Sequence, residues 1–198
     1  MSKIKNIGSR LNKVWKSVGE FGSQVTSKLG SSSIELMSRY SAKPRGIVKC
    51  EIIDAATGQV IGGFEDKNVI VDLARETMCK IITNDDIANR VLETISFSDG
   101  GHNPTTLEAL VPTVGDTDLN STAIASKTVS SGDITVTYPN NTTVRFEVTI
   151  PTNENQNETF SELALFSKNG VMFSHKTFGA IYKSGTSISL KFTYSILF

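Results

Sequence analysis

The spacing of apolar side chains divides this chain into two parts with different periods. In the first thirty residues, Ile4, Ile7, Leu11, Val14, Val18, Phe21 and Val25 recur at alternating steps of three and four. That spacing is a heptad seam and predicts one apolar helical face, with Trp15 beside it. Lys3, Lys5, Arg10, Lys13 and Lys16 fall on the rest of the surface, giving a basic amphipathic helix. Gly8, Gly19 and Gly22 each weaken such a helix by up to ~1 kcal/mol, so it needs something to lie against. A Ser/Gly patch at Gly30–Ser33 interrupts the seam, and Ser41–Pro44 reads as a linker. Residues 1–44 are therefore expected to form an arm and linker, and residues 45–198 a separate domain.

From Arg45 the period is two. Strands are predicted at Ile47–Ile53 and Val60–Phe64 around the turn Ala56–Gln59, then a helix over Val69–Thr83 whose apolar positions recur at three and four. Asn84-Asp85-Asp86 offers a cap for a further short turn through Ile87 and Val91. After it the chain alternates to its end: Thr94–Phe97, Ile134–Tyr138, Thr143–Ile150, Phe160–Phe166, Val171–His175, Phe178–Tyr182 and Ser187–Phe198. Asp99-Gly100-Gly101, Pro139-Asn140-Asn141 and Asn169-Gly170 punctuate the strands, and residues 102–122 form a long polar excursion. The expected fold is mainly β: an antiparallel β-sandwich of eight or so strands with one packed helix, preceded by the amphipathic N-terminal helix.

Charge sharpens the division. The net charge is zero, yet residues 1–45 carry nine Lys/Arg against two Asp/Glu, a balance of +7, leaving −7 on the remainder. The two halves are thus built to face different neighbours. The acidic β half opposes a polyanion, so no specific nucleic acid is expected. No run of ~18 apolar residues suits a spanning helix. No signal peptide is read at the N-terminus, and the expected site of synthesis is a reducing cytoplasm.

Chemistry is sparse. Cys50 and Cys79 are read as buried small hydrophobes. Of the two histidines, His102 lies in a Gly/Asn/Pro loop and reads as a solvated loop residue; His175 reads as a sheet-surface residue. The loop Asp99–Asn103, which includes His102, could with Asp116 and Asp118 collect oxygen ligands for a calcium-like ion, but no loop matches the spacing such a site uses. No nucleophile elbow, phosphate loop or dinucleotide fingerprint is present. The expectation is a non-enzymatic protein with no catalytic residue, cofactor or metal.

Several stretches of the β half resemble a group of tailed-bacteriophage virion proteins from tail fibres, collars and necks. They are Asn68-Val69-Ile70-Val71 before a helix, Ile95–Gly101 followed by Pro104-Thr105-Thr106-Leu107-Glu108, Ser161–Phe166, and the ending from Met172-Phe173 through Phe178 and Lys183 to the alternating last strand. Ser161–Phe166 is similar to an E-x-G-L-F strand, with Ala164 where that pattern has glycine. The resemblance implies a structural component of a virion, made in the host bacterial cytoplasm and assembling as a homo-oligomer with ring, tail or fibre subunits. In that setting Ile4, Ile7, Leu11, Val14, Trp15, Val18, Phe21, Val25 and the five basic residues of the arm are the expected partner contacts. Two other classes stand beside it: a peripheral membrane protein using the basic helix, and a carbohydrate- or host-surface-binding module whose 99–122 loop lacks Trp and Tyr.

Overall fold

A computed structural model describes residues 44–198. The arm, with its thirteen expected contact residues, lies outside the described residues. Among the described residues there are nine strands: β1 (Arg45–Asp54), β2 (Val60–Ile70), β3 (Leu92–Ser98), β4 (Ala125–Thr128), β5 (Ile134–Asn140), β6 (Thr143–Ile150), β7 (Glu158–Ser167), β8 (Met172–Lys183) and β9 (Ile188–Leu197). Two helices, α1 (Asp72–Ile82) and α2 (Ile87–Arg90), follow β2. The domain is mainly β and wholly antiparallel in its pairings, as the alternation predicts. Instead of separate sheets, however, one sheet runs in the order β4-β3-β7-β8-β2-β1-β9-β6-β5.

The join is β2. Its length up to Asn68 pairs with β1, whereas Val69 and Ile70 pair with His175 and Ser174 of β8. A strand shared in this way turns the sheet from one half to the other. The two outermost strands, β4 and β5, are consecutive in sequence and joined by only Val129–Asp133, so the sheet curls back until its ends are neighbours. Both edges are poor templates for further pairing: β4 has four residues and β5 carries Pro139.

Curling brings the apolar faces of the two halves together. Phe97 of β3 meets Phe192 of β9 with ring centroids 4.8 Å apart, although these strands are far apart in the sheet order. Phe160 lies 6.0 Å from Phe97, and Phe178 lies 6.0 Å from Phe192. Val48, Cys50, Leu190, Ile196, Phe146, Val148 and Ile150 complete the apolar core from the β1–β9–β6 side. Each such ring or aliphatic side chain contributes about 1.5–3 kcal/mol on leaving water. Leu190, Phe192, Tyr194 and Ile196 share the inner face as their alternation requires, while Phe198 at the chain's end is 56% exposed. The buried Tyr194 hydroxyl donates to Ser174 Oγ across the core.

Several local expectations change. The segments expected as two strands around Lys176 are one, β8, interrupted by register shifts rather than a turn. Cys50 is buried, and desolvation pushes its thiol up to about 12. Cys79 is exposed on α1, because the face of that helix turned to the sheet carries Ala74 and Thr77. The Asp86 backbone is left-handed, and its carboxylate accepts from Asn89 Nδ2 at 2.7 Å instead of capping backbone amides. No helix among the described residues is long and apolar enough to cross a membrane.

Candidate functional site

β7 and β8 occupy the middle of one half of the sheet and are buried on both faces. Their inner face, with Leu163 and Leu165, joins the core. Their outer face is covered by the polar excursion after β3, here called the strap, residues 99–122, and by α1. Register decides what meets there: Ser98 of β3 is opposite Glu162 of β7, Glu162 is opposite Thr177 of β8, and Ala164 is opposite His175. Glu162 and His175 are therefore diagonal neighbours on one face, the separation at which long side chains touch.

They are bonded. His175 Nε2 lies 2.9 Å from Glu162 Oε2, and its Nδ1 lies 2.7 Å from Asp116 Oδ2 on the strap. Glu162 and His175 are fully buried, and Asp116 is mostly so. The remaining valences of Glu162 are filled too. It accepts from Ser98 Oγ, from the Asn120 backbone N–H at 3.0 Å, from Asn120 Nδ2 at 2.7 Å and from the Ser121 N–H at 3.3 Å. Asp116 also accepts from the Thr113 N–H at 2.9 Å and its hydroxyl at 2.6 Å. Ser121 donates to Asp99 Oδ1 at 2.6 Å, and Thr177 donates to the carbonyl of Leu110.

With a carboxylate facing each ring nitrogen, the imidazole satisfies both only as the doubly protonated cation. Burial alone would depress its basicity, but the bonds to Glu162 and Asp116 overcome burial and raise it above the ordinary histidine value. Burial would likewise raise both acids. The bonds from His175, Ser98 and Asn120 hold Glu162 below the usual carboxylate range, and those from Thr113 and His175 do the same for Asp116. Two buried carboxylates are stabilised here by one buried cation and a shell of donors, the condition under which buried charge is tolerated.

Backbone fit completes the closure. A Cβ on Gly101 would lie 2.1 Å from the Ser161 carbonyl oxygen, and one on Gly100 would lie 2.7 Å from the Ser121 nitrogen. The glycine pair lets the strap turn directly over β7, where the Gly101 N–H donates to Ser161 Oγ at 2.9 Å.

His175 is thus not a sheet-surface residue: the strap buries it. The signal in the sequence was Glu162, a carboxylate inside an apolar strand, which demands a buried partner. The aspartates that could have collected an ion do not converge. Asp99 holds Ser121, Asp116 holds His175 and Thr113, and Asp118 accepts from the Leu119 N–H. Among the described residues no His/Cys/Asp/Glu group is arranged to hold a metal ion. A general base needs a ring nitrogen turned toward a substrate, and both nitrogens of His175 are committed.

Two surface features flank this clasp. The strap turns Leu107, Leu110, Val111 and Val114 to solvent, with Val111 86% exposed. A cleft of about 640 Å³ lies between the strap and the ends of β7 and β8, lined by Asp99, His102, Leu107, Thr159 and Tyr182 among others. Tyr182 is half-exposed, and its hydroxyl lies 3.3 Å from Asn157 Oδ1. His102 Nδ1 is buried without a hydrogen-bond partner. Comparison of the chain with protein-family models, with curated proteins and with solved structures found no match.

Proposed function

We propose that the chain is a non-enzymatic structural component of a phage particle, in the tail, collar or neck region. In this reading residues 1–44 dock on a neighbouring virion protein, and the curled sheet serves as a β-sandwich that assembles with further copies. The observation that supports it is the strap: a loop held by buried ionic hydrogen bonds that nevertheless presents four aliphatic side chains to water. A fixed loop gives up little conformational freedom on docking, and a cluster of exposed aliphatics is the usual mark of a contact surface. The setting, in the virion, comes from the resemblance of Ser161–Phe166 and Ile95–Gly101 to tailed-phage proteins.

Native mass measurement of the full chain tests assembly. Oligomers that dissociate in a Val111→Asp variant support the reading; a monomer unchanged by concentration, alone and with candidate neighbours, overturns it. Deleting residues 1–30 should leave the β domain folded and abolish incorporation into the particle. A truncated protein that still incorporates fully refutes the anchoring role.

A second reading, a host-surface carbohydrate module, is favoured by one observation. The aromatic platform missing from the 99–122 loop is supplied by Tyr182 of β8, across the cleft from Asp99 and His102. Shifts of the Tyr182 ring signals on adding neutral sugars, lost in Tyr182→Ala, would support it; an unresponsive ring across a broad sugar panel would dismiss it.

A further inference from the structure

The strap is held down in an unusual way for its length. Leu107, Leu110, Val111 and Val114 point to solvent and Leu119 alone of its leucines and valines packs against the core, so apolar burial supplies only a small part of its attachment. What binds it is a short set of polar contacts to the sheet and α1. They include Asp116 to His175, Asn120 and Ser121 to Glu162, Ser121 Oγ to Ser98 Oγ, the Gly101 N–H to Ser161 Oγ, the Leu110 carbonyl to Thr177, and the Val114 carbonyl accepting from the Asp72 N–H at 2.8 Å. The sheet beneath is held by its own phenylalanine core, which contains no part of this network. Two neighbouring regions therefore lean on different forces: the sheet mainly on apolar burial, beside the Lys176–Asp66 pair at 2.6 Å, and the strap mainly on the charged His175 cluster.

We infer that the strap is a proton-controlled latch: residues 103–121 lift from the β7–β8 face when the His175 cluster changes its protonation, while the curled sheet stays folded. The titratable groups facing the imidazole are Glu162 from β7 and Asp116 from the strap, with Asp99 one hydrogen bond further out through Ser121. When His175 loses a proton, one ring nitrogen presents a lone pair to a carboxylate oxygen about 3 Å away in a buried site, turning attraction into repulsion. On the acid side, protonating Asp116 and Glu162 removes the negative charges that stabilise the buried imidazolium. The latch is closed between these limits. Opening it also dissolves the fixed apolar surface, a consequence that rests on the docking reading; the opening itself does not.

Hydrogen exchange of the full chain, resolved amide by amide by NMR and corrected for the intrinsic pH dependence of exchange, tests this. The reporters are the amides of Leu110, Asn120 and Ser121, against those of Leu190 and Phe192 in β9. Above the raised titration of His175, the strap amides should lose protection by about tenfold per pH unit while the β9 amides keep theirs. Asp116→Asn, a change at the least buried member, should move that loss to lower pH and speed strap exchange at pH 6 by roughly tenfold, since the imidazolium keeps only one carboxylate. Strap and β9 amides exchanging in step at every pH would overturn the inference, as would strap protection that ignores pH between 5 and 10. Repeating the exchange in the Val111→Asp variant separates the latch from any protection by docking, so a failed oligomerisation experiment leaves the latch standing, and the reverse also holds.

Discussion

The two faces of the β7–β8 pair are built on opposite principles. Inward, Leu163 and Leu165 join Phe97, Phe160 and Phe192 in a mainly apolar core that also holds the Tyr194–Ser174 hydrogen bond. Outward, Glu162, His175 and Thr177 meet a polar loop through ionic and neutral hydrogen bonds. The inner face tolerates changes of shape poorly and changes of pH well. The outer face reverses this, because the strength of a buried charged bond depends on which protons are present, whereas burial of a phenyl ring does not.

The most damaging test of the inner face is Phe192→Ala, which leaves a cavity between the two halves of the sheet. It should cost about 3–5 kcal/mol in a denaturant titration, with strap and sheet unfolding together. Glu162→Ala attacks the outer face and strands the His175 cation among four orphaned donors, an effect on the order of 3 kcal/mol. In contrast to the first variant, its loss should appear earlier in strap signals than in β9 signals. Gly101→Ala should cost about 1–3 kcal/mol, because the added methyl meets the Ser161 carbonyl and must lift the strap. If Gly101→Ala lowers stability with no local change at the strap, the two faces are not separable as described.

pH refines the contrast. His175 titrates higher in the folded chain, so its contribution is complete below the unfolded histidine value near ~6.5 and fades as pH rises through the folded value. Glu162 and Asp116 titrate lower when folded, so theirs is complete above ~4.5 and fades as pH falls through their folded values. Melting temperature should therefore peak between about pH 4.5 and 6.5, and the peak should flatten in a His175→Phe variant that still folds. A wild-type profile flat from pH 5 to 9 would contradict the assigned imidazolium. The smallest effect is expected at Lys80→Ala, which removes the exposed Glu76 partner on α1 and should not move the melt beyond replicate scatter.

Most strands and turns of residues 45–198 were readable because side-chain alternation and turn chemistry are local; the short edge strand β4 and the extension of β2 from Phe64 to Ile70 were not. Ile188 to Ile196, the Asn169-Gly170 turn and the long excursion all lie where spacing predicts. The clasp was not readable in the same way. Glu162 signalled a need for a partner, but nothing near it in sequence named His175, thirteen residues on, or Asp116, forty-six residues before. His175 sits in a Ser-His-Lys-Thr run whose polarity suggests a wet surface, and only the strap folding over that face makes it dry. Tyr182 reached the cleft for the same reason: a strand end and a loop distant in sequence share one edge.

By itself the sequence determined an antiparallel β domain with a helix after its second strand, since hydrophobic period and turn residues act over a few positions. It also set the contrast between a basic segment and an acidic domain. The tertiary structure alone decided that the strands form one curled sheet and that a polar loop becomes its cover. It also decided that a histidine placed on the surface by its neighbours is a buried cation. Those outcomes depend on which distant faces meet, and burial, register across strands and the pairing of buried charges exist only once they have met.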